Sequence, residues 1–557
     1  MFSSTSKSRR SITILSASAA ALLITGLGVS NASATNLTWD PSGSSAGASN
    51  GSGTWNSSGT YWYNGTGAQA WASGDGAYFG SGTGGSGTYT VTLGSSGTYS
   101  TPDMGINNSG NAYVLDGSNG TVSGTGQVVV NGNLTLENIK LSGYGTIAVN
   151  TGGVIGSVLN INTGSTLTMA SASNLYLSDV PNNGATGTTG TVNVNGGSIT
   201  VQAVTVDASN TKQTGILNIN SGTVTTTAGA AGVTSKSGTN IGSPTIVNLN
   251  GGTLNTNWIT ATNNGNMEVN FNGGTLQSHA GGGIGEASSA YTLPTNLNVQ
   301  AGGAVIDTNA HTYWIQSPLL HDATLGSTPD GGLTVLDSKS TASQTTSTVT
   351  LQGANTYTGA TTVQGGGNLI LAGATTDASG AALAAATIAD SSAVNINSNG
   401  VLTLANDVTS ANTAPTAATQ VQALNMTGGG SISFLLNATQ SPTLSISSKA
   451  SVSGINNINV FAVSGTTSFT MGTYTLITDS LGGLSGGTFQ FTGGGQTAIA
   501  GPLGGAGGPS YLLTLGTISD TAETLTIGAV PEPATLGLLA MGGMALVLLG
   551  RKRKIMM

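Results

Sequence analysis

From residue 159 to about 300 the chain repeats one short phrase. VNVNGGSI begins at 192, LNINSGTV at 217, VNLNGGTL at 247 and VNFNGGTL at 269, with looser copies in LNINTG at 159, LNVQAGG at 297 and VNIN at 394. No other feature restricts the fold as tightly. Apolar residues alternate with Asn, so a strand would carry aliphatic side chains to one face and amides to the other. The Gly-Gly or Ser-Gly pair turns the backbone where a positive φ excludes most side chains. A unit this short cannot bury its apolar face alone, and stacking on its neighbours is the way to bury it. Stacking would also bring the Asn amides into line, where they can bond in ladders.

Copies starting at 159, 192, 217, 247, 269 and 297 follow one another at steps of 33, 25, 30, 22 and 28 residues. Uneven steps suit stacked coils, where surplus residues loop out of a corner; a propeller needs even blades. The expectation is an all-β chain, a right-handed parallel β-helix (β-solenoid) with a C-terminal antiparallel β region. A series of β-sandwich domains is the alternative. Residues 101 to about 410, at ~25 residues per coil, would make roughly a dozen coils and a rod of about 55–60 Å.

Charge is scarce, at 6% of residues, while Gly fills 88 positions. Apart from the two ends, five Lys and no Arg stand against nineteen acidic residues, a balance of −14. A body like this cannot neutralise a run of phosphates, which excludes nucleic acid as a partner. The absence of Cys excludes thiol catalysis, disulfides and Cys-ligated metal.

Both ends carry addresses. Residues 1–34 form a secretory signal peptide: Lys7, Arg9 and Arg10, an apolar stretch over 12–29, then Ala32-Ser33-Ala34 with cleavage before Thr35. At the other end 534–550 lack any charge and precede Arg551, Lys552, Arg553 and Lys554. Seventeen residues in a helix would span ~26 Å, the short limit for a transmembrane helix. The basic cluster stays cytoplasmic by the positive-inside rule, which places the body outside. Pro531, Glu532 and Pro533, the apolar span and the basic terminus together resemble the PEP-CTERM sorting signal of exported bacterial proteins. The resemblance covers 529–557 and implies recognition by an exosortase, a membrane-embedded processing enzyme, with the tail removed or exchanged.

Three segments lie between the addresses. The first, 35–100, holds Trp39, Trp55, Trp62 and Trp71, four of the six Trp. It reads as a Trp-rich N-terminal β cap covering the first coil, with Trp62 and Trp71 as the candidates for stacking on sugar faces. Residues 101–415 hold the solenoid repeats. Within them LQGANTYTGATTVQGGGNLIL, 351–371, resembles the autotransporter-associated β-strand repeat, which implies one coil of a passenger β-helix. No run of alternating barrel strands closes the chain. Residues 416–528, with longer alternating runs such as GTYTLI at 472 and YLLTL at 511, read as a C-terminal β domain or cap.

Chemistry is hard to find. Glycoside hydrolysis needs paired carboxylates on one wall, and the candidates are Asp103 with Asp116, Asp307 with His311, His321 with Asp322, and Asp330 with Asp337. Neighbours such as His321 and Asp322 point to opposite faces of a strand. His279, His311 and His321 lack ligand spacing. No catalytic, cofactor or metal residue is therefore expected. The expectation is a non-enzymatic, exported, envelope-associated or extracellular structural or adhesive solenoid of matrix or biofilm. Its partners would be an exosortase, the membrane through the C-terminal helix, and extracellular polysaccharide. The alternative is a polysaccharide-binding or polysaccharide-degrading β-helix protein.

Overall fold

The computed structural model describes residues 35–530 apart from short internal stretches, of which 179–187, 236–244 and 406–417 are the longest. Among these residues the chain is all-β: strands joined by turns, two 3-10 turns (Ala323–Leu325 and Leu484–Gly486), and no α-helix. No helix there is long and apolar enough to cross a membrane. The expected signal peptide and transmembrane helix fall on residues outside the described ones.

The repeated phrase sets the register. Leu159 lies opposite Val192, Val192 opposite Leu217, Leu217 opposite Val247, Val247 opposite Val269, and Val269 opposite Leu297, all in parallel. Each copy therefore pairs with the one before and the one after, and part of the unevenness is taken up inside the paired strands, as between Thr256 and Trp258 and between Phe271 and Asn272. A second column needs no phrase at all. It runs Leu37, Ala77, Met104, Val128 and Ile147 at its start and Ile315, Leu351, Leu371, Leu404 and Phe434 toward its end. All of these side chains are buried in one continuous apolar core. Burying aliphatic area at about 25 cal/mol per Å² is the main stabilising term.

The glycine pair does something subtler than ending a strand. Thr189–Val201 and Thr214–Thr226 run through it as continuous strands, and the ladder between them shifts register at Asn195. In these two strands the pair is a bulge that bends the strand and re-aims its apolar face, with Gly196 at φ 96° and Gly222 at φ 81°, whereas Gly251 and Gly252 separate Thr245–Leu249 from Thr253–Thr260. Elsewhere left-handed corners fall to Asn, as at Asn119, Asn138, Asn150, Asn309 and Asn399, the residue with the smallest penalty there after Gly.

The Asn side chains form the expected ladder on the opposite face. Asn193 Nδ2 donates to Asn160 Oδ1 at 2.8 Å, Asn218 to Asn193 at 2.7 Å, Asn248 to Asn218 at 2.6 Å, Asn270 to Asn248 at 2.8 Å and Asn298 to Asn270 at 2.9 Å. Each link is worth about 1 kcal/mol net.

Both ends depart from parallel pairing. Trp39 lies antiparallel to Trp62, and Trp62 to Gln69. At the other end Ala522–Ala529 pairs antiparallel with Gly472–Asp479 and with Tyr511–Leu515. The parallel columns nonetheless run on past 415, where the sequence template changes. Leu402, Ile432 and Ile458 are successive partners, and Ile458 meets Phe491. The C-terminal region is thus mixed: the parallel column continues to Gly487–Phe491, while the antiparallel strands lie in a separate sheet built on Gly472–Asp479.

Gly222 and Gly494 test the role of the bulge glycines. A Cβ on Gly222 would collide with the Gly197 carbonyl, whereas one on Gly494 (φ 92°) meets open space. Gly222→Ala should lower stability in urea unfolding by at least about 2 kcal/mol and Gly494→Ala by about 1 kcal/mol.

Candidate functional site

A groove of about 980 Å³ lies over the outward rows of the later repeats. Two rows of paired positions form its floor. In one, Val401 lies opposite Ser431, Ser431 opposite Asn457 and Asn457 opposite Gln490. In the other, Thr403 lies opposite Ser433 and Ser433 opposite Asn459. Thr403, Ser431 and Ser433 are sunk into the floor, at 7%, 9% and 2% exposure, while Phe461 on the rim is 54% exposed. Thr403 Oγ1 donates to Asn368 Oδ1 at 3.1 Å, Asn459 Nδ2 to Ser433 Oγ at 3.2 Å and Thr492 Oγ1 to Asn459 Oδ1 at 2.5 Å. Each of these links uses only part of the capacity of an amide or hydroxyl. Among the described residues the single charge on the lining is Asp337, whose oxygens accept from the backbone of Ala310 and Lys339 and from Ser347 Oγ at 2.9, 3.1 and 2.5 Å.

The carboxylates singled out from the sequence are structural ties in this fold. Asp307 accepts from Gln277 Nε2 at 2.8 Å, Asn309 N at 3.0 Å and Ser338 N at 2.9 Å. Asp103 accepts from Gln127 N at 2.8 Å and Asp116 from Ser118 N at 3.1 Å. His279 Nδ1 lies 2.7 Å from Asn255 Oδ1. His321 finds Asp330, nine residues on, in place of its neighbour Asp322. Nδ1 lies 2.8 Å from the Asp330 carboxylate and Nε2 3.1 Å from the Gly326 carbonyl. With an acceptor at each nitrogen, the bond to Asp330 first and that to Gly326 second raise the imidazole above its ordinary pKa. Such a ring is a brace with no free nitrogen for a substrate. Asp330 is held below the usual carboxylate range. Burial opposes this, but Thr358 N, His321, Gly359 N and Gly332 N together outweigh it. Among the described residues no group of three His, Asp or Glu could hold a metal ion.

Trp62 and Trp71 are 0% and 5% exposed, so neither ring offers a face to a sugar. They pack 4.9 Å apart, and each lies about as close to Trp55, at 5.1 and 4.8 Å. The Trp cluster is core at the head of the stack. Phe461 was legible in the sequence only as an apolar strand residue. What marks it out is exposure on the groove rim, which only the fold supplies.

A smaller cavity of about 350 Å³ is lined by Phe489, Gln496, Leu515 and the buried Glu523. Burial raises the Glu523 carboxyl to about 7.

Comparison with known families adds the one assignment outside the described fold. Residues 529–554 match the PEP-CTERM protein-sorting motif. The motif implies export and cell-surface sorting through an exosortase-type system. Pro531, Glu532, Pro533, Arg551, Lys552, Arg553 and Lys554 lie within it, beyond the described residues, as do Ala32 and Ala34 at the other end. No curated protein matches the chain.

Glu523 gives a pH prediction. A carboxyl raised to about 7 when folded costs stability as pH climbs from its unfolded value through 7. Glu523→Gln should therefore raise the melting temperature at pH 8 and leave it unchanged at pH 4.

Proposed function

We propose that this chain is an exported, non-catalytic structural protein. It is sorted by an exosortase-type system and held at the cell envelope, or released into the extracellular matrix, as an adhesive or biofilm component. Its body is read as a right-handed parallel β-helix, the solenoid that its repeat spacing calls for. The observation that carries the reading is the sorting motif at 529–554, joined to a body whose apolar residues form one continuous core. That core leaves uncharged amide and hydroxyl rows outside. Support for the solenoid comes from parallel partners that recur one repeat apart along the body. The stretch resembling an autotransporter repeat behaves like the rest, with Leu351 paired to Ile315 and to Leu371. Support for a non-catalytic role comes from the carboxylates and His321, whose polar atoms are committed to backbone and neighbouring side chains.

Export and tail processing can be read together. Replacing Pro531, Glu532 and Pro533 by Ala should leave the C-terminal segment attached, seen as added intact mass. It should also move the protein from the surface or medium fraction to the membrane fraction. Unchanged mass and distribution would overturn the reading.

A further inference from the structure

We infer that the groove beside Phe461 binds a neutral, hydroxyl-rich polysaccharide. The inference rests on the exported reading above and names a partner class for that body. Asn459 and Thr492 present an amide and a hydroxyl that both donate and accept, one strand apart at about 4.8 Å, above the buried Thr403 and Ser433 that brace them. A linear polymer with hydroxyls at every unit presents matching groups along its length. Among the described residues no Lys or Arg lines the groove, so none of them would neutralise an acidic polymer, and Asp337 would repel one. Phe461, 54% exposed on the rim, offers the flat apolar surface that a sugar ring covers.

Affinity electrophoresis of the purified full-length protein tests this, in gels cast with dextran, with cellulose ether or with polygalacturonate. The neutral polymers should retard the native protein, and Phe461→Ala should weaken the retardation about tenfold with no change in melting temperature. Retardation by polygalacturonate alone, equal retardation of the two proteins, or none at all overturns the inference. So does light scattering that finds dimers dissolved by Phe461→Ala, which would assign the surface to a second copy. Cell fractionation separates the two levels. A surface-located protein without retardation sinks the groove alone, and a cytosolic one sinks the exported reading.

A different observation carries a second inference. The Thr35 backbone nitrogen lies 3.2 Å from Asp75 Oδ1, and Gly76 N donates to the Thr35 carbonyl at 3.0 Å. Asp75 is 6% exposed, and its other oxygen accepts from Ala72 N at 3.0 Å. Thr35 is also the residue that signal cleavage after Ala34 would leave first. The geometry points to Asp75 as the receptor for the new α-ammonium, converting an amide contact into an ion pair that fastens the first strand. An adjacent carboxylate raises the pKa of such a group above its usual value of about 7.7–8.0.

In the exported protein, mass spectrometry should find Thr35 first. The pH dependence of α-amine labelling should give a pKa about one unit above that of the folded Asp75→Asn variant. A different first residue, or equal pKa values, overturns this inference.

Discussion

Parallel backbone register is the constraint on which the rest of this molecule depends. A strand that is half apolar and half amide is unstable alone. Placed in register between two like it, the strand buries its aliphatic row and satisfies its backbone groups on both edges. That single condition explains why Leu159, Val192, Leu217, Val247, Val269 and Leu297 are successive partners across unequal sequence steps. It also explains why the Asn residues between them meet amide to amide.

Register has consequences at the ends. A stack of open edges invites further strand addition, the hazard of any exposed sheet edge. Here Asn36–Trp39 is paired on one edge by the antiparallel strand Trp62–Tyr63, and Gly472–Asp479 by the antiparallel strand Ala522–Ala529. The Trp cluster is buried among these first strands. Trp55, Trp62 and Trp71 lie 4.8–5.1 Å from one another, and Trp39 joins them through Trp62 at 5.2 Å.

The sparse charges obey the same logic. In a body with so few, Asp40, buried at 0% exposure, accepts from Ser42, Ser44 and Ser49 and folds their loop around itself. Asp330 gathers His321, Thr358 and three backbone N–H groups. These two carboxylates tie down backbone where the chain leaves the regular ladder. That is why a search for paired catalytic acids among them finds ties between corners.

Much was legible in the sequence because its signal is local and periodic. The alternation of Val, Leu and Ile with Asn determined the strands, their faces and their partners, and the C-terminal sorting motif implied export. The fold decided what depends on residues far apart in the chain. Nothing in the sequence places His321 beside Asp330 rather than Asp322, or distinguishes the buried ring of Trp62 from the exposed ring of Phe461. The Gly-Gly pairs read as turns; Gly251 and Gly252 do separate two strands, whereas at Gly196 and Gly273 the strand runs on through the pair. Periodicity fixes which face a residue takes. Only stacking fixes what lies above, below and across from it.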